Sequence, residues 1–461
     1  MALLSDWPWR AWAAQRPDQT ALDDESGACS WHRLCERIDR LAAGFRRQGV
    51  TPGRGVALRG KNSGAMLFSY LALLQCGARL LPLNPQLPAS LTDALLPSLD
   101  IDCGLCLAPR GWPAGITTLR LDDGDGERDG GPLWRADRLA TLTLTSGSGG
   151  PPKAAAHSYA AHQASARGVV QLMNFAAGDR WLLSLPLFHV SGQGIVWRWL
   201  AAGATLVVRE RQELAAALRG CTHASLVPTQ LWRLLNQPPE SLTLRAALLG
   251  GAHIPVELTR QAEARGIRCW CGYGLTELAS TVCAKRADER PGVGLPLLRC
   301  ELRLAQDEIL LRADSMAAGY WRDGRLWPLT DEQGWFHTRD RGCFEQGEWR
   351  ILGRLDNQFF SGGEGVQPED IEAVLLTHPD VAWACVVPVP DVEFGQRPAA
   401  VLDMSVALNV EQIDAWLAPR LAVFQRPVAW YRLPPALKNG AVKISRRQVY
   451  DWVQRQRTTG R

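Results

Sequence analysis

The feature that most narrows the fold of this chain is a repeated exchange of short apolar runs with helical patterns. Runs of β-like composition stand at Gly55–Arg59, Arg79–Leu83, 181–185, 204–208, 223–227, 245–249 and 267–271, and residues 64–76 form an apolar helical stretch between the first two. Strand and helix taking turns at this spacing indicate an α/β fold, with parallel or mixed sheets covered by helices. In such folds ligand loops sit at the carboxyl ends of strands, so the chemistry is expected just after each run. No longer internal repeat interrupts the pattern.

At 461 residues the chain is too long for one hydrophobic core, so at least two domains are expected. A net charge of +4, spread along the sequence, argues against nucleic acid or an anionic membrane as the main partner. The chain holds no apolar run long enough to span a bilayer. Its start, Met1 to Trp7, has neither a basic segment nor an apolar core for export, so a cytoplasmic location without stable membrane association is expected. Twelve scattered cysteines fit that compartment. The close pairs Cys103/Cys106 and Cys269/Cys271 lack a second pair at zinc-site spacing with histidines and read as buried thiols.

The run Leu142–Thr145 ends in Ser146-Gly147-Ser148-Gly149-Gly150-Pro151-Pro152-Lys153. Glycines let backbone N–H groups turn toward an anion, the hydroxyls of Thr145, Ser146 and Ser148 add donors, and Lys153 supplies a point charge. The spacing is not that of a Walker A loop, and taken alone the segment also reads as a solvated Ser/Gly linker. Three later runs deliver similar turns: Pro186 to Gly192 with His189, then Gly250-Gly251-Ala252, then Gly272-Tyr273-Gly274-Leu275-Thr276-Glu277. A flat ring, close backbone approach, a hydroxyl and an acid able to hold magnesium are the parts of an ATP site. Singly, Tyr273 also reads as a core aromatic, Glu277 as an acid at a helix start and His189 as a core histidine.

With Thr338-Arg339-Asp340, Gly353-Arg354-Leu355-Asp356, Gly362 to Glu372 and Lys443-Ile444-Ser445-Arg446 added, the chain resembles the adenylate-forming superfamily of acyl-CoA synthetases, luciferases and peptide-synthetase adenylation domains. Within it, Ser5 to Arg10, Ser184 to Trp199, Ser225 to Leu231, Phe359 to Gly365 and Leu437 to Arg446 resemble the o-succinylbenzoate:CoA ligase family of menaquinone biosynthesis. The resemblance implies ATP, Mg²⁺ and CoA as cofactor and co-substrates. It also implies a two-step reaction, in which the acid is activated as its acyl-adenylate with release of pyrophosphate and then passed to CoA. Small molecules are the expected partners, and a homo-oligomeric state is left open.

Residue by residue, the resemblance implies that the loop Thr145, Ser146, Gly147, Ser148, Gly150 and Lys153 holds the β and γ phosphates. Gly250, Gly251, Ala252, Gly272 and Tyr273 would line the adenine. Thr276 and Glu277 would organise the α-phosphate and the metal, and Asp340, with Arg354 nearby, would accept from the ribose hydroxyls, a task suited to an acceptor with several lone pairs. Residues 1–353 are expected to form the large N-terminal body, 354–356 a hinge containing Asp356, and 357–461 a smaller mobile α+β lid. In the lid Pro368 to Leu376 and Val410 to Leu417 read as helices, and Val381 to Val389 and Arg397 to Met404 as strands. The resemblance makes Lys443 the catalytic cation at the α-phosphate, with Lys438 as competitor, and makes Gly362, Gly363, Glu364 and Gly365 the wall of a pantetheine tunnel. Three residues depart from the superfamily pattern: Gly149 replaces a threonine, Arg339 a glycine and Gly365 an asparagine.

His189, Ser191, Gln193, Arg198 and Thr229 follow the relevant runs and offer donors to an acid that carries a second carboxylate. Arg198 lies on the apolar stretch Ile195 to Leu200; facing inward it needs an anionic partner, and facing outward it snorkels to solvent. Two other readings stay open. One is a CoA ligase or carrier-loading domain for another aryl or medium-chain acid, and the other is a non-catalytic nucleotide-binding relative.

Overall fold

Residues Gly64–Gln75 form a helix closed at its start by Ser63, whose side chain accepts from the Met66 amide. Every residue in it except Ala65 is buried. A helix apolar all round must be covered on all sides, and this one packs between helix Trp31–Arg47 and the strands Gly55–Arg59 and Arg79–Leu83. Helix Trp31–Arg47 is amphipathic by contrast: Trp31, Leu34, Ile38, Leu41, Ala42 and Phe45 face the core at helical spacing. The same core reaches helix Val190–Ala202 and strand Thr205–Val207, and stacked Trp7/Trp9 and Trp31/Trp199 fill it.

The computed structural model describes residues 6–109, 111–122, 131–145, 152–210, 212–237, 243–362, 364–405, 407, 409–438 and 444–459. Two large mixed sheets build the N-terminal part. An eight-stranded sheet runs in the order 325–327, 319–322, 153–158, 139–145, 79–83, 55–59, 101–106, 117–119. A nine-stranded sheet runs in the order 295–296, 280–286, 268–275, 246–249, 223–226, 180–182, 205–207, 20–24, 27–30. The central strands of both are parallel, as buried crossover sheets require, and the antiparallel pairs lie toward the edges. Strands 300–305, 308–313, 336–345 and 348–354 form a separate antiparallel sheet.

Beyond it, Val381–Asp391 and Gly395–Met404 pair antiparallel, and Ala429–Arg432 adds in parallel. Alternation along these strands sends Val386, Ala400 and Leu402 against helices Pro368–Leu375 and Val410–Leu417. It sends Cys385, Val387 and Val401 to the opposite face, against Val449 and Val453 of helix Arg446–Thr459. Both faces are covered, which explains the unbroken apolar run in Val381–Val389.

The architecture is the expected one, a large helix-covered body of mixed sheets and a smaller C-terminal domain, and most strands end within a residue or two of their expected limits. Two do not. The strand expected over 181–185 stops at Leu182, because Asn62 takes its place as partner: the Asn62 amide donates to the carbonyls of Leu183 (3.1 Å) and Leu185 (2.8 Å), and its oxygen accepts from the Leu187 amide (3.0 Å). The strand expected over 267–271 continues to Leu275, because the antiparallel neighbour Ser280–Arg286 pairs with it past Tyr273. Gly272, Tyr273 and Gly274 therefore lie within a strand and not after it.

Candidate active site

Thr145 closes strand Leu139–Thr145 and pairs directly with Lys153, the first residue of the antiparallel strand that returns beside it. Ser146, Gly147, Ser148, Gly149 and Gly150 lie outside the described residues. The Lys153 ammonium sits 4.9 Å from the ring centre of Tyr320. Tyr320 also donates its hydroxyl to Glu277 Oε1 at 2.8 Å. Thr276 and Glu277 open a short 3-10 turn directly beyond strand 268–275, and the Ala317 amide grips the Glu277 carbonyl at 2.8 Å. Among the described residues no three His, Cys, Asp or Glu side chains gather as a metal cage. A single carboxylate near Lys153 is the kind of group that would hold a magnesium ion bound mainly through other oxygens.

Gly250, Gly251 and Ala252 follow strand Ala246–Leu249. Gly251 has φ +79°, a conformation that favours glycine, and a Cβ on Gly272 would stand 3.2 Å from the Leu249 carbonyl and 3.3 Å from Thr281 Cγ2, so there is little room for a side chain at that position. Tyr273 donates to Asp340 Oδ2 at 2.5 Å, and Arg354 Nη1 donates to the other oxygen at 3.2 Å. Burial, then the Asp340 charge, push the Tyr273 phenol far above its ordinary range, so it stays a donor. Arg354 reaches in the other direction too, gripping both carboxylate oxygens of Asp356 at 3.1 and 3.2 Å. Burial works against its charge, but Asp356 and Asp340 outweigh that and hold it above its ordinary value. A carboxylate pinned by one donor per oxygen keeps lone pairs for further donors.

Helix Val190–Ala202 carries the expected acid-site residues. His189 is its N-cap, its ring 4.6 Å from that of Phe188, and Ser191 is half-buried in the first turn. Gln193 is wholly buried, and its amide nitrogen donates to Thr143 Oγ1 and the Leu187 carbonyl, which ties the helix to the phosphate-loop strand. Thr229 is half-buried in the first turn of helix Pro228–Leu235. Arg198 points inward, with 1% of its surface exposed. It donates to Ser225 Oγ (3.3 Å), Ser280 Oγ (3.0 Å) and Thr281 Oγ1 (3.2 Å). All three are neutral, and burial pushes the guanidinium below its ordinary value. Ser280 holds φ +116°, an uncommon backbone for a residue with a side chain. Ser225 stands in the sequence only as the start of the Ser225 to Leu231 stretch, with no role of its own, and Ser280 and Thr281 leave no signal there beyond a hydroxyl on an otherwise apolar run.

In the C-terminal domain Gly362 has φ +59°, and a Cβ there would meet the Phe394 ring at 2.7 Å. Glu364 and Gly365 are exposed on a short strand, and Gly363 lies outside the described residues. Lys443 lies outside them as well. Its competitor Lys438 is engaged, its ammonium paired with Asp403.

These features recur together in one class of protein. The AMP-binding enzyme family matches residues 9–321 and the AMP-binding enzyme C-terminal domain matches residues 370–443, so the chain belongs to the AMP-binding enzyme family. It is 55% identical over 450 residues to the 2-succinylbenzoate–CoA ligase of Salmonella typhimurium, with 98% of each chain covered. It is 54% identical over 459 residues to that of Escherichia coli, covering 98% of this chain and 100% of the relative. An E. coli MenE variant with one arginine-to-lysine change and bound OSB-AMS superposes with a TM-score of 0.94 at 52% identity, over 99% of this chain and 100% of that one. The Bacillus subtilis o-succinylbenzoate coenzyme A synthetase in complex with ATP and magnesium ion gives 0.82 at 25% identity, over 92% and 95%.

Proposed function

We infer that this chain is an ATP-dependent acid–thiol ligase that converts o-succinylbenzoate, ATP and CoA to o-succinylbenzoyl-CoA, AMP and pyrophosphate, a step of menaquinone biosynthesis in the cytoplasm. The observation that carries the choice of acid is Arg198: a buried cation that meets three hydroxyls and the Trp181 ring, and no carboxylate among the described residues, asks for an anion from outside the chain. The aromatic carboxylate of o-succinylbenzoate is that anion. His189, Ser191 and Thr229 line the approach, and Gln193 holds the wall in place.

In the first step the aliphatic carboxylate attacks the α-phosphorus of ATP, forming the mixed anhydride as pyrophosphate leaves. Asp340 accepts from the ribose, and Gly250 to Ala252 with Tyr273 enclose the adenine. The loop from Thr145 to Lys153 binds the leaving phosphates, and Glu277 with Thr276 orients the α-phosphate. When bound at Glu277, magnesium neutralises charge on the phosphate oxygens. Lys443 adds a positive charge where negative charge builds up. In the second step residues 357–461 turn about Asp356 in the 354–356 hinge, against the fixed body 1–353, Lys443 withdraws, and Gly362 to Gly365 line the path of the thiol. The sulfur attacks the acyl carbon and AMP departs. The Arg354–Asp356 pair joins ribose site to hinge and supports this reading. Pyrophosphate release measured over a panel of acids, with and without CoA, tests it. o-Succinylbenzoate should exceed benzoate and medium-chain acids by orders of magnitude in kcat/KM; equal rates for acids lacking the second carboxylate overturn the assignment.

A further inference from the structure

Strand Gly319–Arg322 lies beside strand Lys153–Ser158, with Tyr320 opposite Ala155 and Trp321 opposite Ala154. Lys153 is two residues from Ala155, so it shares a face with Tyr320 as a diagonal neighbour, which accounts for the ammonium lying 4.9 Å from the ring centre. The other end of the same side chain reaches Glu277, and the segment is tied there twice, by the Tyr320 hydroxyl on the carboxylate and by the Ala317 amide on the Glu277 carbonyl. The Ala318 amide meanwhile bonds the Ala156 carbonyl, so residues 317–321 bridge the start of the returning strand to the turn that carries the acid.

We propose that Tyr320 is a positioning residue for metal–nucleotide binding: its hydroxyl fixes the Glu277 carboxylate and its ring seats the Lys153 ammonium, so one side chain sets the acid and the cation at the two sides of the polyphosphate. The proposal rests on the roles given above to Glu277 and Lys153. A carboxylate offered to magnesium presents one oxygen best when the other is held, and a phenol is a suitable holder because it cannot compete for the metal at neutral pH. The ring contributes separately, since an ammonium over a π-face is restrained in position while keeping its donors for phosphate.

Calorimetric titration of the whole chain with ATP, once in EDTA and once in excess Mg²⁺, reads this without turnover. The quantity compared is the ratio of the two dissociation constants in the parent, Glu277→Gln, Tyr320→Phe and Tyr320→Leu. Glu277→Gln should abolish the gain from magnesium. Tyr320→Phe, which keeps the ring, should cut that gain about tenfold while leaving metal-free affinity at the parental value, a split that general loosening of the fold does not produce. Tyr320→Leu should in addition weaken metal-free binding severalfold; should it not fold, Tyr320→Phe alone decides. A parental ratio in Tyr320→Phe beside a collapsed ratio in Glu277→Gln overturns the proposal and leaves the role of Glu277 standing. A parental ratio in Glu277→Gln overturns that role, and the proposal with it.

Discussion

The two ends of the site handle charge in opposite ways. At the nucleotide end the charges around Asp340 have charged counterparts: Asp340 lies between Tyr273 and Arg354, and Arg354 between Asp340 and Asp356. At the acid end Arg198 is buried deeper than any of these and meets Ser225, Ser280 and Thr281, none of which carries charge. On the function proposed above, the nucleotide is received by a prearranged frame of paired charges, whereas the distinguishing acid is received by a buried cation with no charged partner among the described residues. Specificity then comes from the cost of leaving that cation unpaired when the wrong acid binds.

The largest test of the contrast concerns a charge delivered to the nucleotide end from the C-terminal domain. Lys443→Ala should lower the adenylation rate about 10²- to 10³-fold, the scale of losing one preorganised stabiliser of developing charge. It should leave transfer from preformed acyl-adenylate to CoA within a few fold, as single-turnover assays of each half-reaction would read. Equal loss in both steps breaks the idea that the cation serves one end only. Next in size, Arg198→Ala should raise KM for o-succinylbenzoate about a hundredfold, as expected when a buried charge-assisted contact is removed, with KM for ATP nearly unchanged. Benzoate analogues without the second carboxylate should be indifferent to the change. If KM for ATP rises as steeply, the two ends are not separate.

Beneath both ends the body keeps polar groups neutral. His162 stacks on Trp197 and bonds Thr141 at 2.8 Å, and burial pushes its neighbour His157 down to about 4. The unfolded chain protonates such a histidine near 6.5, while the folded one stays neutral until about 4, so the unfolded state binds more protons in between and stability falls as pH drops through that window. From pH 7 to pH 5 His157 should account for about 2 kcal/mol of lost stability, and in His157→Gln, which carries no titrating group, denaturant unfolding should show that slope removed. An unchanged slope would assign the acid sensitivity to the other buried imidazoles, His162 and His223, which burial also holds below their ordinary value.

How far the site could be read from sequence follows the same division. At the nucleotide end the sequence offers a role for most positions, because phosphate and adenine ask for glycine where backbone must approach, as at Gly251, and for acids at fixed intervals, as proposed for Glu277, Asp340 and Asp356. The acid end was only half legible. Arg198 was visible as a cation on an apolar stretch, yet its direction depends on which helix face meets strand 280–286, and that is set by tertiary packing. Ser225 and Thr281 are single hydroxyls on buried strands, indistinguishable in one dimension from ordinary filling. Tyr320, in Gly-Tyr-Trp, reads as a core aromatic until its strand is seen beside Lys153. Asn62 and the extension of strand 268–275 were hidden for a related reason: both depend on a partner remote in sequence.

The smallest expected effect isolates backbone from charge at the nucleotide end. Arg339, next to the ribose-binding acid, sits at φ +60°, its side chain is exposed, and its amide donates to Glu308 Oε1 at 2.9 Å. This is a backbone conformation that glycine adopts without cost. A residue with a Cβ in this region loses about 1 kcal/mol, while glycine gives back part of that through the freedom of the unfolded chain. Arg339→Gly should therefore be neutral or stabilising by less than about 1 kcal/mol in thermal unfolding. Because Asp340 is held by Tyr273 and Arg354 and not by this guanidinium, KM for ATP should stay within about twofold, well below one pKa-unit equivalent of free energy. A severalfold loss of ATP affinity with unchanged stability would mean that the exposed guanidinium itself meets the nucleotide, and the frame at that end would then be completed by a charge the structure leaves pointing at solvent.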